Sequence, residues 1–236
     1  PPDPADIEAE LVTIVKDACL LENATRGKGD RLPVPKTLCA AQIAKIMLNL
    51  YRIVRIKCGG VNADPSYDLL AIYMSSGINE GIYVTDDDAF KRIALQYNYS
   101  ITSRELKDVM EMIMLNAPRV SKTIDRDLIA VNNGIFHYDT KELEPFSPEY
   151  IFTAKSKVDY VPTATNVKIH NSTDHTDWDV ESWMSELSND PEVVDLLWEI
   201  LSAIIRPHVR WNKSAWFYSN TGNNGKGTLC ELMRSL

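Results

Sequence analysis

No apolar run in this sequence approaches the ~18 residues that a bilayer-spanning helix requires, so no membrane segment is expected. There is no Cys-x-x-Cys pair either. The four cysteines, Cys19, Cys39, Cys58 and Cys230, are far apart, which argues against a zinc ribbon or a disulfide framework and favours a reducing, cytoplasmic setting. Positive charge is in deficit: the net charge is -8 and the pI about 5.1. The chain as a whole is therefore not an electrostatic sink for nucleic acid, and any DNA contact must come from a local patch. Internal repeats, low-complexity segments and a signal-peptide-like start are also missing. An initiating methionine is absent too. The chain begins at Pro1 and ends inside a predicted helix, and so reads as a truncated piece of something longer.

What remains is a globular sequence. With 236 residues and 44% hydrophobic content, it can fill one large domain or two ordinary ones around a real core. Pro4 to Leu20 reads as an amphipathic helix capped by Asp3, with Ile7, Leu11, Ile14, Val15 and Ala18 on one face. A Gly- and Pro-containing loop covers Asn23 to Pro35, a second helix runs from about Thr37 to Tyr51, and a short strand spans Ile53 to Lys57. Leu69 to Met74 and Gly81 to Thr85 suggest a hairpin. Asp86 then caps a helix to about Tyr97. Thr102 with Glu105 forms a capping box for a helix that turns Leu106, Val109, Met110, Ile113 and Met114 inward.

From Leu128 the pattern changes to short strands around Asn132-Asn-Gly134 and Asp139-Thr-Lys141, which predicts a small antiparallel element. Phe152 to Tyr160 reads as a further strand and Thr163 to Asp177 as a polar stretch without periodicity. Two helices follow. Val180, Trp183, Met184 and Leu187 mark the first. Asp190 caps the second, in which Val194, Leu197, Trp198, Leu201 and Ile205 form a stripe before Pro207 ends it.

The most informative motif lies at the end. Ala215 to Tyr218 reads as a buried strand, Gly222 to Gly227 as a tight turn, and Thr228 to Leu236 as the opening of a helix. That order is the order of a phosphate cradle. Glycines let backbone N–H groups and the positive end of a helix approach phosphate oxygens. Lys226 would place a cation on the terminal phosphates, and Thr228 would help hold magnesium. The pattern departs from G-x-x-x-x-G-K-[ST] twice, with Asn220 in place of the first glycine and Gly227 directly after the lysine. Gly222 can supply the permissive turn. An ordinary Asn- and Gly-rich turn is the plain alternative.

Other groupings are weaker. Asp174, His175, Asp177 and Asp179 with His170 can be drawn as a metal site, but they fit a polar loop running into a helix cap. Asp86, Asp87 and Asp88 can be drawn as a two-metal cluster, but they open an amphipathic helix, where acidic residues belong. Arg52, Arg55 and Lys57 form one basic group, and Arg206, His208, Arg210 and Lys213 another. The first is a candidate contact for a nucleic-acid backbone, although cations on a surface strand usually only aid solubility, and the second is a candidate contact for phosphate or a neighbouring subunit. Trp178, Trp183 and Trp198 fit core packing, with base stacking open to any that is exposed.

Three stretches together, Leu128 to Phe152 with its Asn-Asn-Gly and Ser-Pro-Glu-Tyr, Lys157-Val-Asp-Tyr-Val-Pro162, and Phe217-Tyr-Ser-Asn-Thr-Gly-Asn-Asn-Gly-Lys-Gly-Thr228, resemble the primase-helicases of phages, plasmids and poxviruses. The likeness is to the region preceding a superfamily 3 helicase core plus that core's first (Walker A) motif. It spans about Leu69 to Leu236. The resemblance implies a replication protein that uses ATP and magnesium, assembles into a ring and works on DNA in the cytoplasm of a host. It assigns Gly222, Asn223, Asn224, Gly225, Lys226, Gly227 and Thr228 to the phosphate-binding loop, with magnesium at Thr228. No residue transfers as catalytic, so this piece alone is expected not to hydrolyse ATP.

The fold expected is an α+β accessory domain followed by the first strand, loop and helix of an AAA+-like α/β ATPase domain. Its divisions are a helical or α+β region over 1–120, a small β element with a helix pair over 121–208, and the start of the ATPase domain over 209–236. Two rivals stand beside this reading. A P-loop small-molecule kinase would share Lys226-Gly-Thr228 but usually carries its loop near the N-terminus. A non-catalytic DNA-binding or assembly module would share the surrounding region without binding nucleotide.

Overall fold

The computed structural model describes residues 2–59, 64–206, 208–220 and 222–236. The expectations that fall on Pro207 and Thr221 lie outside them. The chain is mixed α+β and divides into two compact units: Pro1–Thr123 with Ser147–Thr153, and Ile124–Phe146 with Ala154–Leu236.

The first unit is built on a four-stranded sheet. Its strands are β1 (Ile53–Ile56), β2 (Leu69–Tyr73), β3 (Tyr83–Val84) and β4 (Arg119–Val120), in the order β3-β2-β1-β4. β1 pairs antiparallel with β2 and parallel with β4. Four helices accompany it: α1 (Pro4–Asn23), α2 (Ala40–Leu50), α3 (Asp87–Tyr97) and α4 (Ser103–Asn116). Because successive strand residues point to opposite faces, Ile53, Leu70 and Ile72 join the helices' Ile43, Met47, Phe90, Tyr97, Val109 and Ile113 in one core. Val54, Ile56, Ala71 and Tyr83 pack with Ile151 in a second.

Caps fix where the helices start. Asp3 accepts from Ala5 N, Asp86 accepts from Asp88 N, and Thr102 and Glu105 form the reciprocal capping box the sequence predicts. On α1 the residues that meet the core are Ile7, Leu11 and Val12. Ile14, expected on the buried face, is 55% exposed.

The second unit begins with a three-stranded meander, β5 (Leu128–Val131), β6 (Gly134–His137) and β7 (Glu142–Glu144). Asn132 and Asn133 form its first turn, since Val131 pairs with Gly134. A Cβ at Gly134 would lie 2.5 Å from the Glu144 carbonyl oxygen, so only glycine fits there. The strand expected over Phe152 to Tyr160 does not form. Ile151 N donates to Thr123 Oγ1 and Phe152 O accepts from Tyr83 N, inside the first unit. Further on, Ser156 N donates to Ala130 O and Asn132 N to Val158 O without completing a ladder.

The polar stretch contains a hairpin that hydropathy did not announce, β8 (Ile169–Asn171) with β9 (Thr176–Trp178). Its three-residue strands are mostly exposed, so they carry no apolar alternation. Helices α5 (Val180–Glu186), α6 (Pro191–Ile204) and α7 (Lys226–Ser235) complete the unit. Met184, Leu197, Leu201 and Leu229 form their shared core.

Candidate functional site

The loop 222–225 and the first turn of α7 belong to the second unit. Leu229 inserts into the core made by α5 and α6, and this anchors the start of α7. At its other end, the Leu236 carbonyl accepts from Ser156 Oγ at 2.6 Å and from Lys157 N at 3.1 Å.

Gly225 is the N-cap of α7 with φ 78°. Asn223 is also left-handed, at φ 56°. An added Cβ at Gly225 would stand 2.4 Å from Leu187 Cδ2, so the turn is folded tightly onto α5. Among the described residues, by contrast, nothing lies within 4 Å of a Cβ added at Gly222 or Gly227, which leaves their backbone approachable. The first intrahelical bond runs from Leu229 N to Gly225 O at 2.9 Å. The N–H groups of Lys226, Gly227 and Thr228 precede it and point along the helix toward its positive end. Lys226 is half-buried, and its Nζ donates to Asn224 Oδ1 at 2.7 Å. Thr228 is exposed. The loop therefore offers a cation, a hydroxyl and helix-end N–H groups around an approachable backbone.

The strand expected over Ala215 to Tyr218 is absent. Trp216 is 90% exposed and Tyr218 84%, while Phe217 between them packs against the helical core. The in-out alternation is that of a strand, but a strand also needs a hydrogen-bonded neighbour. Among the described residues none pairs with this segment.

The other sequence candidates have local roles. Arg55 is not part of a free basic face: its Nε donates to Asp68 Oδ2 at 2.8 Å. Arg119 binds the same carboxylate through Nε at 2.6 Å and Nη2 at 3.0 Å. The sequence reading missed this triad; its one signal was a charged residue inside the apolar run of β1. Arg52 and Lys57 remain exposed. Arg206 is also committed, with its Cζ 3.7 Å from the Tyr138 ring centroid and its Nη2 donating to Arg126 O and Asp127 Oδ1. Arg210 and Lys213 are exposed.

The acidic groups act as caps and pairs. Asp88 bonds Lys91, Asp174 accepts from Thr176, Asp179 caps α5, and His170 Nδ1 lies 2.8 Å from Asp177 Oδ1. Hydrogen bonds from Thr176, and from Ser182 and Asn166, hold Asp174 and Asp179 below the usual carboxylate range. Trp198 is 38% exposed and Trp178 43%.

The architecture thus defines a mixed α+β protein with a glycine-rich turn at a helix start. A family model described as D5 N terminal like matches residues 66–188, a little over half of the 236-residue chain. The chain belongs to this family, which is found in phage and viral primase-helicase proteins and links it to DNA replication. The match runs from just before β2 through α5 and stops short of the loop at 222–228. No curated protein matches the chain. Among the described residues no helix is long and apolar enough to cross a membrane.

Proposed function

We propose that the chain is part of an ATP-dependent DNA helicase of the superfamily 3 type, a primase-helicase of a phage, plasmid or related virus. In this reading the mixed α+β region precedes the ATPase, and Gly222, Asn223, Asn224, Gly225, Lys226, Gly227 and Thr228 form the loop that takes the phosphates of ATP. Lys226 exchanges its bond to Asn224 for a bond to the terminal phosphates. Thr228 carries the magnesium ion, directly or through water. Neighbouring subunits of a ring supply the groups that complete hydrolysis, and the cycle drives separation of DNA strands.

The observation that carries the reading is the left-handed Gly225 N-cap, followed in the first turn of α7 by Lys226, Gly227 and Thr228. Family membership supports the replication context, and the open backbone at Gly222 and Gly227 supports a ligand at the loop. No residue of this chain is assigned a catalytic role. Titration of magnesium ATP into the chain should show binding that Lys226→Ala weakens at least tenfold, about 1.4 kcal/mol. Equal affinity in the two proteins would remove the loop from the nucleotide site. In the intact replication protein the same substitution should abolish ATP-driven unwinding.

A further inference from the structure

A cleft of about 440 Å³ opens in the second unit beside the loop, lined by Thr176, Trp178, Val180, Trp183, Thr228 and Leu232. Its volume lies within the ~300–1,000 Å³ typical of small-molecule sites. Among the described residues no charged side chain lines it. Two indoles, those of Trp178 and Trp183, are part of its lining, and Trp178 is 43% exposed overall. The cleft is joined to the loop in two ways. Thr228, three positions after the Gly225 N-cap, is part of its lining. Trp183 is shared: its Cζ2 would lie 3.7 Å from a Cβ at Gly225.

We infer that this cleft is the nucleoside subsite of the nucleotide held by the loop, with Trp178 and Trp183 stacking on the base. The inference rests on the phosphate-binding reading of residues 222–228. A ligand whose phosphates cap α7 passes Thr228 and reaches Leu232 one helical turn on, about 6 Å along the axis. A flat, uncharged heterocycle suits aromatic walls, while an anionic tail does not and stays at the helix end. Stacking between a base and an aromatic side chain tolerates any base, because every base has a π-face. Trp178 sits at the end of β9, paired with Ile169, so its indole is presented by the hairpin that the sequence did not reveal.

Calorimetric titration of the 236-residue chain with two ligands, magnesium ATP and magnesium tripolyphosphate, separates base from phosphate. ATP should bind about tenfold or more tighter than tripolyphosphate, in line with the magnitude of a base–aromatic stack. Trp178→Ala should remove that advantage and leave tripolyphosphate affinity unchanged, while Trp178→Phe should retain most of it. If Trp178→Ala leaves ATP affinity intact while Lys226→Ala still weakens both ligands, the subsite is wrong and the loop reading stands. Equal loss of both ligands in Trp178→Ala would make Trp178 a structural support and overturn the subsite. If the unsubstituted chain binds neither ligand, the loop reading fails and the subsite with it.

Discussion

Arg119 grips Asp68 side-on, with Nε 2.6 Å from Oδ2 and Nη2 3.0 Å from Oδ1, although 51 positions separate the two residues. Arg55 binds the same Oδ2 at 2.8 Å, and the Asp68 side chain is fully buried. The arrangement follows from the register of the sheet. Arg55 lies between Ile53 on the helix-covered face and the end of α4, where it also donates to Met114 O. A guanidinium there requires an anion, and the 3-10 turn at Pro65–Tyr67 delivers Asp68 to it. Removing one partner of such a group strands the others. Asp68→Asn should therefore lower the unfolding midpoint of the first unit by on the order of 10 °C. Circular dichroism melts at neutral pH would measure it, and an unchanged midpoint would show that the triad is not a support.

The same carboxylate sets an acid limit. The hydrogen bond from Arg119, joined by that from Arg55, outweighs burial and holds Asp68 down from 3.8 to about 2. A carboxylate whose folded pKa is depressed adds stability that is complete above its unfolded value and disappears as pH falls through its folded one. Between pH of about 4 and about 2 the first unit should lose stability, and Asp68→Asn should flatten that limb. Denaturant titrations of both proteins across this range make the comparison. Parallel pH curves would mean that other groups govern acid unfolding.

Asn133 acts as a substitute strand in the second unit. Its Oδ1 accepts from Tyr160 N at 2.9 Å and its Nδ2 donates to Tyr160 O at 3.0 Å. Asn132 adds a bond from Nδ2 to Asp159 Oδ1, and Phe136 packs on the Tyr160 ring with centroids 4.2 Å apart. Asn133→Ala should cost about 1–2 kcal/mol, the net worth of two hydrogen bonds, and should speed hydrogen exchange at the Tyr160 amide. Asn133→Asp keeps the acceptor and loses the donor, so its effect should fall between. Unaltered exchange at Tyr160 in both variants would rule out the clamp.

These contacts show where a sequence is readable and where it is not. Helix starts at Asp86, Thr102 and Asp190 were legible because capping is a local exchange between neighbouring residues. The β5-β6-β7 meander was legible from Asn132, Asn133 and Gly134, where turn chemistry is equally local. Arg55 was misread as a surface cation because its partners, Asp68 and Arg119, are brought to it only by the fold. Trp178 could not be placed because β8 and β9 lack an apolar stripe. In the loop, the glycines and Lys226 stood out, but the bond that restrains Lys226 through Asn224 and the packing of Gly225 on α5 did not.

Gly225 faces two separate demands. Its φ of 78° costs an ordinary L-residue about 1–2 kcal/mol, and a Cβ would also sit 2.4 Å from Leu187 Cδ2. Gly225→Ala should therefore destabilise the second unit by more than the backbone cost alone. Gly225→Asn relieves part of the φ cost but keeps the collision, whereas Gly225→Ala combined with Leu187→Ala removes the collision and keeps the φ cost. A double-substitution cycle read by urea unfolding should show the Leu187→Ala background lessening the effect of Gly225→Ala by about 1 kcal/mol or more. Purely additive effects would mean that the loop does not rest on α5 as described.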